Sequence, residues 1–306
     1  MNLEVTQQLQ KEWLKATENK EISITLNGVS YDIAIKQCGV RMICINSISD
    51  SDKDVLLDIF NNLDTLLMLF DGKFAPIVKI SVDSQDITQD FSERVIPIYH
   101  SADSMLGSEN ILIDFSKIID VQIFSDWIEL RKELDIIHNM VLYCLSDLKI
   151  PIDMKCAFMI EAFEGLSELI TLKKPEIRFE KAEKGESQLK KYLMSFINNY
   201  GMTIFDEEIK FGIDKITQIL VNSRNRIGHI KRTQRGEYLS DEGNLVYLLK
   251  LSLLYRVVLL DLLGISEVSY RQRLSKRTGV INSLSITEKL FTGTAEADAG
   301  EGKGQD

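Results

Sequence analysis

Residues 223–232 read SRNRIGHIKR, and six of these ten are Arg, Lys, His or Asn. An imidazole changes charge near neutral pH and can give or take a proton. A guanidinium presents N–H groups in a fixed plane and holds phosphate oxygens. Arg224 and His229, with four residues between them, bring together the two groups that phosphodiester chemistry uses. Asn225 adds an amide that can orient either one. The ordinary reading of the same stretch is a basic helix end, favoured by the helix dipole.

The stretch closes a longer pattern, DEEIKFGIDKITQILVNSRNRIG, which predicts one helix over 206–228 with acids in its first turn and arginines in its last. Ile209, Ile213, Ile216, Leu220 and Ile227 form its apolar stripe, and Arg224 falls at the stripe's edge. Gly228 is a suitable helix stop. Along an unbroken helix Arg224 and His229 would point apart, so a turn at Gly228 is needed to swing the imidazole back. Between Val221 and Gly236 lie Arg224, Arg226, Lys231, Arg232 and Arg235, with no acid. YRQRLSKR, residues 270–277, adds Arg271, Arg273, Lys276 and Arg277, and the last long helix is expected to return it to the same end of the bundle. Arg226, Lys231, Arg232, Arg235, Arg271 and Arg273 are read as RNA-contacting residues.

These clusters stand out because the 306-residue chain carries a net charge of −10. That balance excludes a uniformly basic nucleic-acid coat but not a local basic face. The four cysteines, Cys38, Cys44, Cys144 and Cys156, form no CxxC and no zinc-like grouping. They read as reduced, mostly buried thiols of a cytoplasmic protein. The N-terminus is too polar for a secretory signal, and no apolar run reaches membrane-spanning length. No glycine-rich phosphate loop is present, and no cofactor or metal is expected. DSDKD, residues 50–54, begins like a calcium loop but lacks its later glycine and glutamate, so it reads as a helix cap.

The remaining pattern predicts an α+β fold. Residues 2–18 read as a short helix. EISITLNGVSYDIAI alternates around Asn27-Gly28, a hairpin signal, and VRMICINSI continues the strands. DSDKDVLLDIFNNLDTLLMLF has helical period; PIVKISVDS, VIPIYH and NILIDFSKI read as further strands. From Ile123 to Gly264 nearly everything has helical period. Five helices are expected there: residues 124–148, stopped by Pro151; residues 151–172; residues 187–200; residues 206–228; and residues 240–265, capped by Ser240. Trp127 and the apolar stripes of 124–148 read as packing, with a dimer seam as their second use. Glu161 is either an ordinary helix-face glutamate, the plainer reading, or an acid that orients Arg224. The tail, TGTAEADAGEGKGQD, reads as flexible.

Spacing alone does not single out Arg224 and His229. Arg94 precedes His100 with five residues between, and Arg131 precedes His138 with six. The first pair flanks a strand-like run, and the second lies two turns apart within one helix, about 10 Å of rise. His138 reads as a core or interface histidine and His100 as a strand-end residue. Only Arg224-Asn225-x3-His229 has the asparagine, the helix end and the basic surroundings. That motif inside a helical bundle resembles the HEPN superfamily, and the following helix ending LLDLLGI resembles the HEPN domain of ApeA-like anti-phage proteins. The resemblance covers roughly residues 123–265. It implies an N-terminal β-containing domain followed by an all-α HEPN-type bundle; the residue pattern sets the bounds, an N-terminal α+β domain over 1–120, a bundle over 121–277 and a tail over 278–306. It implies a metal-independent endoribonuclease, a hydrolase of antiviral defence, working as a homodimer whose two motifs share one cleft. His229 would be the acid/base, Arg224 would stabilise the phosphate, and Asn225 would orient one of them. A phage-derived trigger would act on the N-terminal domain. Two other classes stay open: a non-catalytic adaptor that binds RNA or protein, and a scaffold dimer.

Overall fold

The computed structural model describes residues 1–9, 18–49, 52–94, 110–146, 148–228 and 237–284. Its first half is a six-stranded sheet with neighbouring strands antiparallel, built from β1 (Asn2–Gln8), β2 (Glu18–Leu26), β3 (Val29–Cys38), β4 (Val40–Ser47), β5 (Ile77–Val82) and β6 (Gln85–Asp86) in the order β2-β3-β4-β1-β5-β6. Asn27 and Gly28 both take positive φ, 52° and 80°, as a two-residue hairpin turn requires, and the hairpin stands as predicted. On one face the sheet turns Leu3, Val5, Tyr31, Ile33, Ile35, Ile43, Ile45 and Ile80 inward, all buried. Each such side chain contributes about 1.5–3 kcal/mol on burial.

Helix α1 (Lys53–Asp71) covers that face with Leu56, Ile59, Phe60 and Leu63. Asp52 caps it by accepting from Asp54 N at 3.1 Å, which is the capping reading of DSDKD. Gly72 ends it in the left-handed conformation, φ 81°. A short α2 (Thr88–Arg94) follows the sheet.

Two expectations need correction. Residues 2–8 form β1, not the start of a helix: Leu3, Val5 and Gln7 face inward with period 2, and the strand exists because β4 and β5 flank it. The remainder of that expectation, residues 10–17, lies outside the described residues, as does VIPIYH. NILIDFSKI is not a strand. Asn110–Asp114 carries no ladder, and Asp114 caps the short α3 (Phe115–Ile118). Its buried Leu112, Ile113 and Phe115 fill the space beside α1 instead, an apolar run that period alone does not assign.

The second half is helical, as predicted: α4 (Val121–Leu145), α5 (Ile152–Lys173), α6 (Gln188–Tyr200), α7 (Asp206–Ile209), α8 (Ile213–Gly228), α9 (Asp241–Leu262) and α10 (Arg271–Asn282). The predicted helix over 206–228 is divided into α7 and α8 at Gly212, whose φ of 99° interrupts it. α4 is kinked at Asp135, φ 32°, and ends before Pro151 is reached. Ser240 caps α9 by accepting from Gly243 N at 3.1 Å. The basic YRQRLSKR lies in α10, which sequence reading did not assign as a helix.

The halves share one continuous apolar core. Trp127 of α4 donates Nε1–H to Asn62 O of α1 at 2.8 Å, so it is packing, as read. Arg256 of α9 is buried and donates to Leu69 O, Phe70 O and Asn110 O at 2.7, 2.8 and 2.9 Å. Burial pushes its guanidinium down to about 9. Within the sheet half, Arg41 pairs with Asp71 at 2.8 Å, and Gln7 donates to Asp64 at 2.6 Å. Burial raises the Asp64 carboxyl to about 7 against the pull of Gln7 and Arg41. Among the described residues, no helix is long and apolar enough to cross a membrane.

Candidate functional site

α8 is fixed by Ile216, Ile219, Leu220 and Val221, all buried against α5 and α6. Its last turn leaves the core, and Arg224 emerges there. On the neighbouring α5, Cys156, Ala157, Met159 and Ile160 face inward, which turns Glu161 towards the edge where Arg224 arrives. Arg224 meets it as a fork: Nε donates to Glu161 Oε2, and Nη2 donates to Oε1 at 2.8 Å. Nη1 donates to Asn225 Oδ1 at 3.0 Å. The Glu161 hydrogen bonds raise the arginine's pKa further, so the guanidinium stays cationic.

Arg224 and Glu161 keep 24% and 35% of their side-chain surface exposed, so water reaches the pair. A guanidinium has five N–H donors. Among the described residues three are engaged, which leaves two for an incoming anion. Glu161 fixes the plane of the guanidinium without sealing it. The orienting-acid reading, which sequence reasoning ranked second, is the one the geometry supports. Its only sequence signal was a glutamate on the open face of α5.

The chain leaves α8 at Gly228 and returns beside the same turn. Asn222 Nδ2 donates to Glu237 O at 2.9 Å, and Leu239 N donates to Ser223 Oγ at 2.8 Å. Gly228 itself is not left-handed; α8 runs through it. His229, Lys231, Arg232 and Arg235 lie outside the described residues. Arg226 is exposed, and its guanidinium carbon sits 4.2 Å from the centroid of the Tyr238 ring. Sequence reasoning did not single out Tyr238.

Arg271 and Arg273 are not brought to this end. α9 begins beside Ser223 and runs for 22 residues, about 33 Å. Its far end is marked by Asp261, which accepts from Tyr200 at 2.9 Å. The connection turns at Gly264, φ 70°, and starts α10 where α9 finishes. Arg271 there pairs with Glu267 at 3.0 and 3.1 Å. Arg273 lies within electrostatic reach of Glu18 at the start of β2. The expectation that α9 would return YRQRLSKR to the Arg224 end is corrected: the short turn keeps that cluster at the other end.

The alternative Arg/His pair is structural. His138 is buried, its Nδ1 lies 3.0 Å from Tyr255 Oη, and its ring meets Trp127 edge-on at 5.2 Å. Burial, with Arg131 nearby, pushes its pKa down to about 3, so it is neutral at working pH. Arg131 turns away to Asn62 Oδ1 at 2.9 Å. The side chain of Arg94 and the whole of His100 lie outside the described residues.

Neither the curated proteins nor the solved structures hold a match to the chain. A family model does match, over residues 159–269, and its description is Apea-like HEPN. The match starts inside α5, later than the resemblance reaches, and takes in Glu161, Arg224, Asn225 and the whole of α9. The helical half of this chain thus carries an Apea-like HEPN domain.

Proposed function

We propose that the chain is a metal-independent endoribonuclease of HEPN type acting in anti-phage defence. The observation that carries the reading is the Glu161–Arg224–Asn225 arrangement: a cation held in a fixed plane and open to water, with two donors to spare among the described residues, five residues before His229. The reaction is transesterification. His229 takes the proton of a ribose 2′-hydroxyl, and the 2′-oxygen attacks the adjacent phosphorus. Arg224 takes up the charge that builds on the phosphorane oxygens. The bond to the 5′-oxygen breaks, and an imidazolium returns a proton to it. The products are a 2′,3′-cyclic phosphate and a 5′-hydroxyl. One imidazole does not serve both ends at once, so a homodimer would supply the second His229 across a two-fold axis.

In this reading residues 121–277 are the nuclease domain, and residues 1–120 are a sensor domain that receives a phage-derived trigger in the cytoplasm. The boundary expected at 277 falls inside α10, which runs on to Asn282 with Thr278 and Ile281 buried, so the tail of this reading starts after that helix. RNA is gripped first at the α8 end, by Arg226, Lys231, Arg232 and Arg235; Arg271 and Arg273 would form a separate basic patch along the RNA's path. The test is incubation of purified protein with total RNA in EDTA. Cleavage that survives chelation and disappears in His229→Ala supports the enzyme. RNA retained but uncut would replace it with a binding adaptor, and neither binding nor cleavage would leave a scaffold.

A further inference from the structure

Tyr238 is an exposed aromatic on a pinned backbone. The carbonyl of Glu237 before it accepts from Asn222, and the amide of Leu239 after it donates to Ser223. Leu239 is buried, so the peptide on that side does not swing. The side chain between these two anchors nonetheless keeps 43% of the residue's surface in solvent. Here the guanidinium carbon of Arg226 lies over one face of the ring, 4.2 Å from its centroid, and the contact is a cation–π pair. Nucleobases bind to such surfaces, because aromatic rings and guanidinium planes both stack on their π-faces.

Position refines the idea. Arg224 and Arg226 are two residues apart on α8 and leave it on opposite sides. Arg224 turns to α5, and Arg226 turns to Tyr238. The ring therefore lies across the width of the helix end, about 10 Å, from the Glu161 fork. The segment joining the two sides in sequence, residues 229–236, carries His229, Lys231, Arg232 and Arg235 and no acid. A strand whose scissile phosphate sits at Arg224 would deliver a neighbouring nucleotide, not the scissile one, to Tyr238.

We propose that Tyr238, held by Arg226, is a stacking platform for an unpaired nucleobase flanking the cleavage point, and thus a positioning residue for single-stranded RNA. This rests on the ribonuclease reading for its biological use but not for its binding test.

Tyr238→Trp places a reporter at the site. A 2′-O-methyl decaribonucleotide, which cannot be cleaved, should quench its emission in EDTA, whereas an abasic phosphate backbone of the same length should not. In cleavage assays Tyr238→Ala should raise KM for a long oligoribonucleotide about 5- to 100-fold, as loss of one stacked base does. It should leave kcat and dinucleotide cleavage unchanged, and Tyr238→Phe should restore KM. Equal quenching by the abasic backbone, or an unchanged KM in Tyr238→Ala, overturns the platform. Absence of cleavage by the wild type sinks the ribonuclease reading alone, and the quenching comparison still decides the platform.

Discussion

Two carboxylate–cation pairs in the helical half use similar chemistry in opposite settings. Glu208 of α7 accepts from Lys250 of α9 at 2.6 and 2.8 Å, and both side chains are fully buried, with the Phe205 ring 5.7 Å from the ammonium. Glu161 and Arg224 make the same two-point contact at the surface. The first pair is sealed from solvent. It is a polar bolt between two helices, and removing one charge strands the other away from water. The second keeps open surface. Pairing of charges therefore does not mark a site; the solvent left around the pair does. The contrast also separates cost from use, since a buried pair matters to folding and an open one to whatever arrives.

The largest effect should come from breaking the sealed pair. Glu208→Ala leaves an ammonium unpaired in the core and should cost about 3–5 kcal/mol of unfolding free energy by denaturant titration. A cost below 1 kcal/mol would mean that water or another group reaches Lys250, and the contrast would fail. At the open pair, Arg224→Ala should reduce RNA cleavage about 100- to 1,000-fold while the fold persists, as removal of a transition-state donor does. An unfolded variant would show instead that Arg224 is structural.

A third effect, of about 4 kcal/mol at its full extent, belongs to the buried carboxyl of the sheet half. Asp64 is raised to about 7 by burial, whereas its unfolded value is near 3.8. Between these values the native side chain keeps its proton and the unfolded one releases it, so stability falls as pH rises from about 4 to 7. Asp64→Asn, which mimics the protonated form and keeps an acceptor for Gln7, should match the wild type near pH 4 and exceed it at pH 8. Thermal melts across that range check it, and parallel curves would show that Asp64 is already ionised. The smallest effect is the stability cost of Glu161→Ala, at most ~1 kcal/mol for a pair so exposed. Its cleavage rate should fall further than its stability, because the guanidinium loses its fixed plane.

How much of this was legible follows from where each constraint resides. The Asn27-Gly28 hairpin was legible because the turn chemistry is local to two residues. The five long helical segments were legible because their apolar period repeats over many turns. β1 was misread because a seven-residue strand takes its character from β4 and β5, which are distant in sequence. Arg224 and Asn225 were found by motif, but the Glu161 fork crosses 63 residues of sequence and needs the α5–α8 packing. The placing of Arg271 failed on one short turn: nothing in YRQRLSKR says at which end of α9 it will stand.

The carbonyl oxygens that receive Arg256 bear on whether another front half could be joined to these helices. All three belong to residues before position 111, while the arginine belongs to the matched HEPN segment. A transplanted sheet would have to present a helix end and one further backbone oxygen in that place, or strand a cation among leucines. Such a chimera is therefore constrained by three atoms rather than by overall resemblance of the donated piece.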